Sequence, residues 1–180
     1  CGQLQSIHSS QSATISSLSI GATYYVRVFS NPEYDVRTST FDICIGIPLP
    51  PPVNDDCINA ITLAVNTDSS CTLKSAGTTA NATDSGEADN PMGTPDDDVW
   101  YKFVATATSH IISLVDVEGY PVPIHEVMEG NCGGELFSLS TSIRQSSQIS
   151  GLIIGNTYYV RVFSSYQGIN VTTTFNICVA

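Results

Sequence analysis

The chain has 180 residues, and its hydrophobic fraction of 42% is large enough to fill the core of a folded domain, which excludes a disordered chain. Six Lys and Arg residues face 17 Asp and Glu residues, for a formal net charge of −11. This charge excludes a basic patch for nucleic acid and argues against docking on an anionic membrane. No apolar run approaches the roughly 20 residues of a membrane-spanning helix, so we expect no membrane insertion.

Strand-forming residues dominate the chain. It contains 23 Ser and 18 Thr but only two lysines, Lys74 and Lys102, a composition that favours strands over helices. In chain order, alternating or continuous apolar runs predict strands at 23–30, 40–45, 60–65, 98–106, 109–117, 157–164 and 173–179. Residues 58–63 fit a single helical turn, and Trp100 is expected to anchor the core. The pattern predicts an all-β fold, an antiparallel β-sandwich of the jelly-roll or Ig type.

The chain contains an internal repeat. GATYYVRVFS at 21–30 recurs as GNTYYVRVFS at 155–164, and Cys44 and Cys178 are separated by the same 134 positions as Tyr24 and Tyr158. We therefore predict a C-terminal third of one repeat, a proline-rich linker and a nearly complete second repeat, at residues 1–47, 48–53 and 54–180. No signal peptide opens the chain, so we expect a mature product or a window of a longer array.

The six cysteines indicate an oxidising compartment, because they show neither CxxC spacing nor histidines placed for zinc. The first copy carries only Cys1 and Cys44, the equivalents of Cys132 and Cys178. If each copy closes its own bonds, the repeat favours the pairings Cys1–Cys44, Cys57–Cys71 and Cys132–Cys178. A bond that links neighbouring copies remains open as an alternative.

Several segments together resemble a known bacterial module: PPPVNDDCINAITL, DDDVWYKFVATATSHIISL, GLIIGNTYYVRVFS and TTFNICV. They resemble a repeat of large secreted surface proteins of Bacteroidota-type bacteria. More distantly, they are similar to pre-peptidase C-terminal and collagen-binding β-sandwich domains. The first resemblance implies an adhesin or appendage exported by the type IX route to the bacterial cell surface. The second implies a module that accompanies an enzyme and binds calcium.

Two acidic clusters are candidates for that calcium. One follows the linker and the other precedes the strand of Trp100, which are the two places where the collagen-binding relatives carry their ligands. The resemblance implies four ligands, with Asp84 or Glu87 as possible additions: Asn54, Asp55, Asp96 and Asp98. Such an ion would have a structural role, joining linker to domain. The alternative is a solvated acidic turn that binds no ion.

Catalysis has little support in the sequence. The chain has three histidines, at positions 8, 110 and 125, and none belongs to a recognisable acid–His–nucleophile arrangement or a GxSxG motif. We predict no catalytic residues and no enzymatic activity. Arg27 and Arg161 alternate with valines in their strands, so we expect them to face outward and to form salt bridges.

These observations favour a structural and adhesive repeat of an extracellular filament or stalk. Its expected partners are neighbouring copies of the repeat and a surface glycan or protein. The alternative is a calcium-dependent carbohydrate- or protein-binding accessory module of a secreted enzyme. A third possibility, that Cys1 is a lipoprotein's acylated N-terminus, is disfavoured because Cys1-Gly2 recurs inside the chain as Cys132-Gly133.

Overall fold

A computed structural model describes residues 15, 17–29, 40–47, 49–119, 123–164 and 172–180. The chain divides into two compact units, residues 1–48 and 49–180. The predicted repeat boundaries stay a prediction, because most of the first copy lies outside the described residues.

The unit at 49–180 is a β-sandwich, which confirms the predicted fold class. It begins with a 3-10 turn at Cys57–Asn59, followed by nine strands: β1 (Ile61–Thr62), β2 (Ser75–Thr78), β3 (Val99–Val104), β4 (Ser109–Gly119), β5 (Ile124–Gly130), β6 (Leu136–Ser142), β7 (Ser146–Ser150), β8 (Thr157–Phe163) and β9 (Thr173–Val179). The five-stranded sheet has the order β1-β3-β8-β5-β6, and the four-stranded sheet has the order β2-β9-β4-β7. All pairs are antiparallel except β1–β3.

The main core lies between the two sheets. Because side chains alternate along a strand, every second residue of the central strands points inward. These residues are buried and in mutual contact: Val99, Tyr101 and Phe103 of β3, Tyr158, Val160 and Val162 of β8, Ile112 and Leu114 of β4, and Phe175, Ile177 and Val179 of β9. Trp100 is fully buried as predicted, but it belongs to a second cluster, on the outer face of the five-stranded sheet, with Cys57, Ala60 and Met128.

The sequence missed the strands that lie towards the sheet edges. β2, β6 and β7 are edge strands, rich in Ser, Thr or Gly, and they lack a regular apolar alternation. β5 was not among the predicted strands: His125 and Glu126 interrupt its apolar residues, yet both are buried. The predicted strand at 60–65 is reduced to β1 and an isolated bridge at Val65.

The strands predicted in the first copy are a further difference. The described parts of 23–30 and 40–45 belong to no strand. In the second copy, β8 pairs with β3 and β5, and β9 pairs with β2 and β4. No strand is present among the described residues of the unit 1–48 to pair with them in this way. A backbone whose N–H and C=O groups lack ladder partners is not a strand, whatever its side chains favour.

The disulfide pairing of the second copy was predicted wrongly. The bonds are Cys57–Cys132 and Cys71–Cys178, with Cα atoms 5.5 and 5.6 Å apart. Cys57 lies in the 3-10 turn against the outer face of the five-stranded sheet, next to the segment that follows β5. Cys71 precedes β2, which pairs with β9, the strand of Cys178. The predicted bonds Cys57–Cys71 and Cys132–Cys178 are therefore excluded.

The repeat argument failed for a specific reason. Each observed bond joins a cysteine with a counterpart in residues 1–47, Cys132 or Cys178, to one whose place in the repeat lies outside those residues, Cys57 or Cys71. Cys44, the counterpart of Cys178, is exposed and bonds to no described cysteine. Cys1 lies outside the described residues, so the predicted Cys1–Cys44 bond stays a prediction.

Candidate functional site

The first two predicted calcium ligands join the segment after the linker to the body of the sandwich. Asn54 and Asp55 are buried. The Asn54 amide nitrogen donates to the Trp100 carbonyl at 2.9 Å, and the Trp100 N–H donates to the Asn54 carbonyl at 2.8 Å. Both carboxylate oxygens of Asp55 accept hydrogen bonds from Thr83, one from its backbone N–H and one from its hydroxyl, each at 2.7 Å.

Asp98 is bonded to Ser85 in the way that Asp55 is bonded to Thr83. It is fully buried and accepts bonds from the Ser85 N–H at 3.1 Å and the Ser85 hydroxyl at 2.6 Å. The Trp100 indole N–H donates to it at 3.1 Å. Burial outweighs these bonds and raises the pKa of Asp98 to about 7. Its neighbour Asp97 accepts a bond from the Ser164 N–H at 2.8 Å, and burial raises its pKa as well.

These contacts bear on the calcium hypothesis. Both oxygens of Asp55 and of Asp98 are engaged by Thr83 and Ser85, so a Ca²⁺ ion held by them would have to replace those bonds. Asp96 is half-buried. Among the residues that the structure describes, no three His, Cys, Asp or Glu side chains form a group that could hold a metal ion. Calcium binding by Asn54, Asp55, Asp96 and Asp98 stays a prediction.

Arg161 lies at the centre of a buried ionic cluster on the outer face of the five-stranded sheet. Strand register places Trp100 and Glu126 directly beside it, on β3 and β5. Its Nε and Nη2 donate to one oxygen of Glu126 at 3.1 and 2.6 Å. Its Nη1 lies 3.7 Å from Asp98 and has no hydrogen-bond partner. The guanidinium carbon lies 5.5 Å from the ring centroid of Trp100 and 5.2 Å from that of Phe163.

The outward orientation and salt bridge expected for Arg161 are present, but the residue is buried. Residues 83–93, here called the covering segment, account for this. The segment is fixed by the bonds of Thr83 and Ser85, by the Ala88 carbonyl that accepts from Arg161 Nη2 at 2.9 Å, and by Asn90, which donates to the Thr141 hydroxyl at 2.9 Å. The protein itself thus meets most of the bonding needs of these charges, which marks the cluster as structural support.

The two described histidines also have structural roles. Nε2 of His110 accepts from the backbone N–H groups of Thr106 and Ala107 at 3.1 and 3.2 Å, which leaves Nδ1 to donate to the Ala180 carbonyl at 3.0 Å. His125 is 2.6 Å from the Ser147 hydroxyl on the opposite sheet, and burial lowers its pKa to about 4. Its Nδ1 has no hydrogen-bond partner, so no carboxylate orients the ring as a catalytic base requires.

One open cleft lies at an end of the five-stranded sheet, and sequence reasoning missed it. The residues that line it include two aromatic residues, Phe137 and Tyr159, and three polar ones, Glu129, Asn131 and Asn156. The ring of Phe137 is exposed. Aromatic and polar residues thus lie together at this cleft. The only feature of the sequence that points to this cleft is Phe137, an aromatic residue in the serine-rich run 136–142.

A family described as galactose binding domain-like, associated with the type IX secretion system, matches residues 53–177. No curated protein matches the chain. Among its described residues, no helix is long and apolar enough to cross a membrane. The association with type IX secretion indicates a secreted or cell-surface protein of Bacteroidota. Since the match covers more than half of the sequence, the chain belongs to the galactose binding domain-like family associated with that secretion system.

Proposed function

We propose that the chain is a non-catalytic structural and adhesive repeat of an extracellular filament or stalk. The internal repeat is the observation that carries this proposal: GATYYVRVFS and GNTYYVRVFS belong to two modules joined by the proline-rich residues 48–53. The family match spans residues 53–177, the linker's last residue and all but the last three residues of the predicted second repeat. A chain of such repeated modules needs no catalytic residues, because its function depends on its length and its stability.

The construction of the second module supports this role. The bonds Cys57–Cys132 and Cys71–Cys178 join the beginning of the module to the segment after β5 and to the last strand, β9. Each bond stabilises the folded state by roughly 2–4 kcal/mol through its effect on the unfolded chain. The buried charges of Arg161, Glu126 and Asp98 are enclosed under the covering segment, where they are available to neither substrate nor solvent. A module exposed to an oxidising environment gains from both features.

The experiment that tests this proposal is the intact mass of the native polypeptide, measured together with negative-stain images of the same sample. We expect a chain of many modules, in fibres or elongated particles. A soluble monomer of 19.2 kDa would contradict the filament proposal.

A second candidate function is carbohydrate binding, and the open cleft is the observation that favours it. Phe137 offers a ring for stacking on a sugar, and Glu129, Asn131 and Asn156 offer acceptors and donors for hydroxyl groups. None of these three side chains has a hydrogen-bond partner within the described structure. The family description makes a galactose-type sugar the first ligand to test.

The test is calorimetric titration of the 180-residue chain with galactose and galactose-terminated oligosaccharides, in Ca²⁺ and in EDTA. We expect Phe137→Ala to abolish binding and Leu139→Ala, an exposed apolar residue of the same strand, to leave it unchanged. Equal losses in both variants, or no heat in the unmodified chain, would exclude the cleft as a sugar site. A difference between Ca²⁺ and EDTA decides whether the binding depends on calcium.

A further inference from the structure

We propose that two copies of the chain associate through β7, edge to edge, so that the four-stranded sheets of the two sandwiches become one continuous sheet. This association depends on neither the filament nor the sugar site, because it uses a sheet edge that takes no part in the linker or the cleft. It follows from the backbone of β7, from the order of its residues and from its charge.

β7 is the sheet edge best suited to accept another strand. Of the other strands that end the two sheets, β1 has two residues and β2 has four. β6 is longer, but Leu139 is an extra residue in its ladder with β5, and such a bulge interrupts the pairing of an edge. β7 has five residues in unbroken register with β4. It contains no Lys or Pro, the residues that commonly keep an edge unpaired.

The backbone of β7 directs hydrogen-bonding groups towards its free side. Ile111 of β4 donates to the Ala180 carbonyl at 2.8 Å and accepts from the Ala180 N–H at 3.0 Å, so both of its backbone groups point away from β7. Ile111 lies opposite Gln148 in the antiparallel ladder, and in such a pair the backbone groups of both residues point outward. The N–H and C=O of Gln148, and by the same alternation those of Ser146 and Ser150, therefore face the side on which no described strand lies.

The order of residues along β7 suits a second copy of itself. In an antiparallel pair with its two-fold axis at Gln148, this residue lies opposite its own counterpart, and Ser146 lies opposite Ser150. Each such pair exchanges two backbone hydrogen bonds, so every outward group of β7 gains a partner in both copies. The Gln148 amide donates to the Ser109 hydroxyl at 2.8 Å, which leaves its second N–H and its carbonyl for Gln148 of the second copy.

Apolar residues extend this match beyond the strand. Ile143 and Ile153 lie five positions before and five positions after Gln148, and they are 62% and 61% exposed. The same two-fold axis brings Ile143 of one copy towards Ile153 of the other, at both ends of the pairing. Contact between them removes apolar surface from water, which favours association. This symmetric spacing selects a second copy over an unrelated strand.

The charge of the edge is compatible with a second copy. The chain has a net charge of −11, so two copies repel each other in general. Between positions 136 and 156, however, Arg144 is the only charged residue, so the paired edges bring no carboxylates together. Salt screens the repulsion between the other parts of the two copies, and we expect association to strengthen as the salt concentration rises.

The experiment changes the charge at the axis of the pair. Sedimentation of the 180-residue chain at concentrations up to about 1 mM should show a reversible monomer–dimer equilibrium. Gln148→Lys places two like charges opposite each other and should raise the dissociation constant by at least about tenfold. Gln148→Glu should do the same, whereas an equal mixture of the two variants should form a heterodimer. A chain that is monomeric at every concentration would overturn the proposal, as would a mixture that stays monomeric.

Thr174→Lys is the matched control. Thr174 is exposed on β9, away from the β7 edge, and its replacement changes the net charge by the same amount as Gln148→Lys. Because either lysine reduces the net negative charge, general repulsion predicts a slight gain in association for both variants. Pairing through β7 predicts a loss for Gln148→Lys alone. Equal dissociation constants for the two lysine variants would show that the copies associate through another surface.

Discussion

Two nearly identical segments of this chain have different structures. TYYVRVF at 157–163 is β8, a central strand, whereas the same letters at 23–29 belong to no strand. The side chain environment changes with it: Val160 is 0% exposed and its counterpart Val26 is 61% exposed. The preceding turn is the same in both copies, down to the tyrosine hydroxyl that accepts a backbone N–H five residues earlier.

This difference distinguishes structure that depends only on the local sequence of a segment from structure that depends on contacts with distant segments. The turn and the contact of arginine with phenylalanine, 5.0 Å for Arg27 and Phe29, arise within a few residues and form in both copies. The strand requires partners that are distant in sequence, because its backbone bonds are made to other strands. Matched substitutions at equivalent positions of the two copies test this difference.

The largest difference is expected for the cysteines at equivalent positions. Replacing both members of the Cys71–Cys178 bond by serine should lower the free energy of unfolding by about 2–5 kcal/mol. Cys44→Ser should change it by less than about 0.5 kcal/mol, since Cys44 is exposed and bonds to no described cysteine. Urea unfolding at pH 7 measures both. A destabilised Cys44→Ser chain would show that the first copy contributes to the folded core.

The arginines come next. Arg161→Ala leaves Glu126 and Asp98 buried without their cation and should cost about 3–5 kcal/mol. Arg27→Ala removes the contact with Phe29 and should cost less than about 1 kcal/mol. Thermal unfolding followed by circular dichroism distinguishes the two values. Similar costs would mean that the two arginines have the same surroundings.

The tyrosine hydroxyls should give a smaller effect. Tyr158→Phe removes the acceptor of the Ile153 N–H and should lower the free energy of unfolding by about 1 kcal/mol. Tyr24→Phe should leave the unfolding of the sandwich unchanged and speed amide hydrogen exchange at Ser19. An unchanged exchange rate at Ser19 would contradict the turn described for the first copy.

The smallest effect is a dependence on pH, which comes from Asp98 and His125 of the second copy. The folded pKa of Asp98 is raised from 3.8 to about 7, so the folded state binds the extra proton and stability falls as pH rises through this window. The folded pKa of His125 is lowered from 6.5 to about 4, so the unfolded state binds the extra proton between these values and stability rises with pH.

The two trends oppose each other between pH 4 and 6.5. The unmodified chain should therefore show a nearly flat profile there and lose stability only towards pH 7. Asp98→Asn should convert the flat part into a rise, which urea unfolding at a series of pH values will detect. A profile that stays flat in this variant would mean that His125 does not titrate as its burial implies.

The sequence was sufficient for features that depend on composition and alternation. It predicted the all-β sandwich, the central strands β3, β4, β8 and β9 and the burial of Trp100, because an apolar alternation is itself the signature of a covered face. It did not predict the edge strands, whose serines and threonines are acceptable at a half-exposed edge and in a loop alike.

The site was less accessible to sequence reasoning. The partnership of Arg161 with Glu126 depends on the register between β8 and β5, which no local pattern reveals. The carboxylates of Asp55 and Asp98 were read as possible ligands, and the structure bonds them to Thr83 and Ser85, residues that carry no charge to signal the pairing. The disulfides depend in the same way on which segments the sheets bring together.

The crossed order of those disulfides has a consequence for a module that is pulled from both ends. Tension that enters at Cys57 follows the backbone only as far as Cys71, then passes through the bond to Cys178. Even a fully unfolded module would lengthen between Cys57 and Cys178 to about 50 Å, against roughly 400 Å without its bonds. The rest of the sandwich lies outside the path of the load. A tether built from such modules would hold its length under traction that unfolds every one of them.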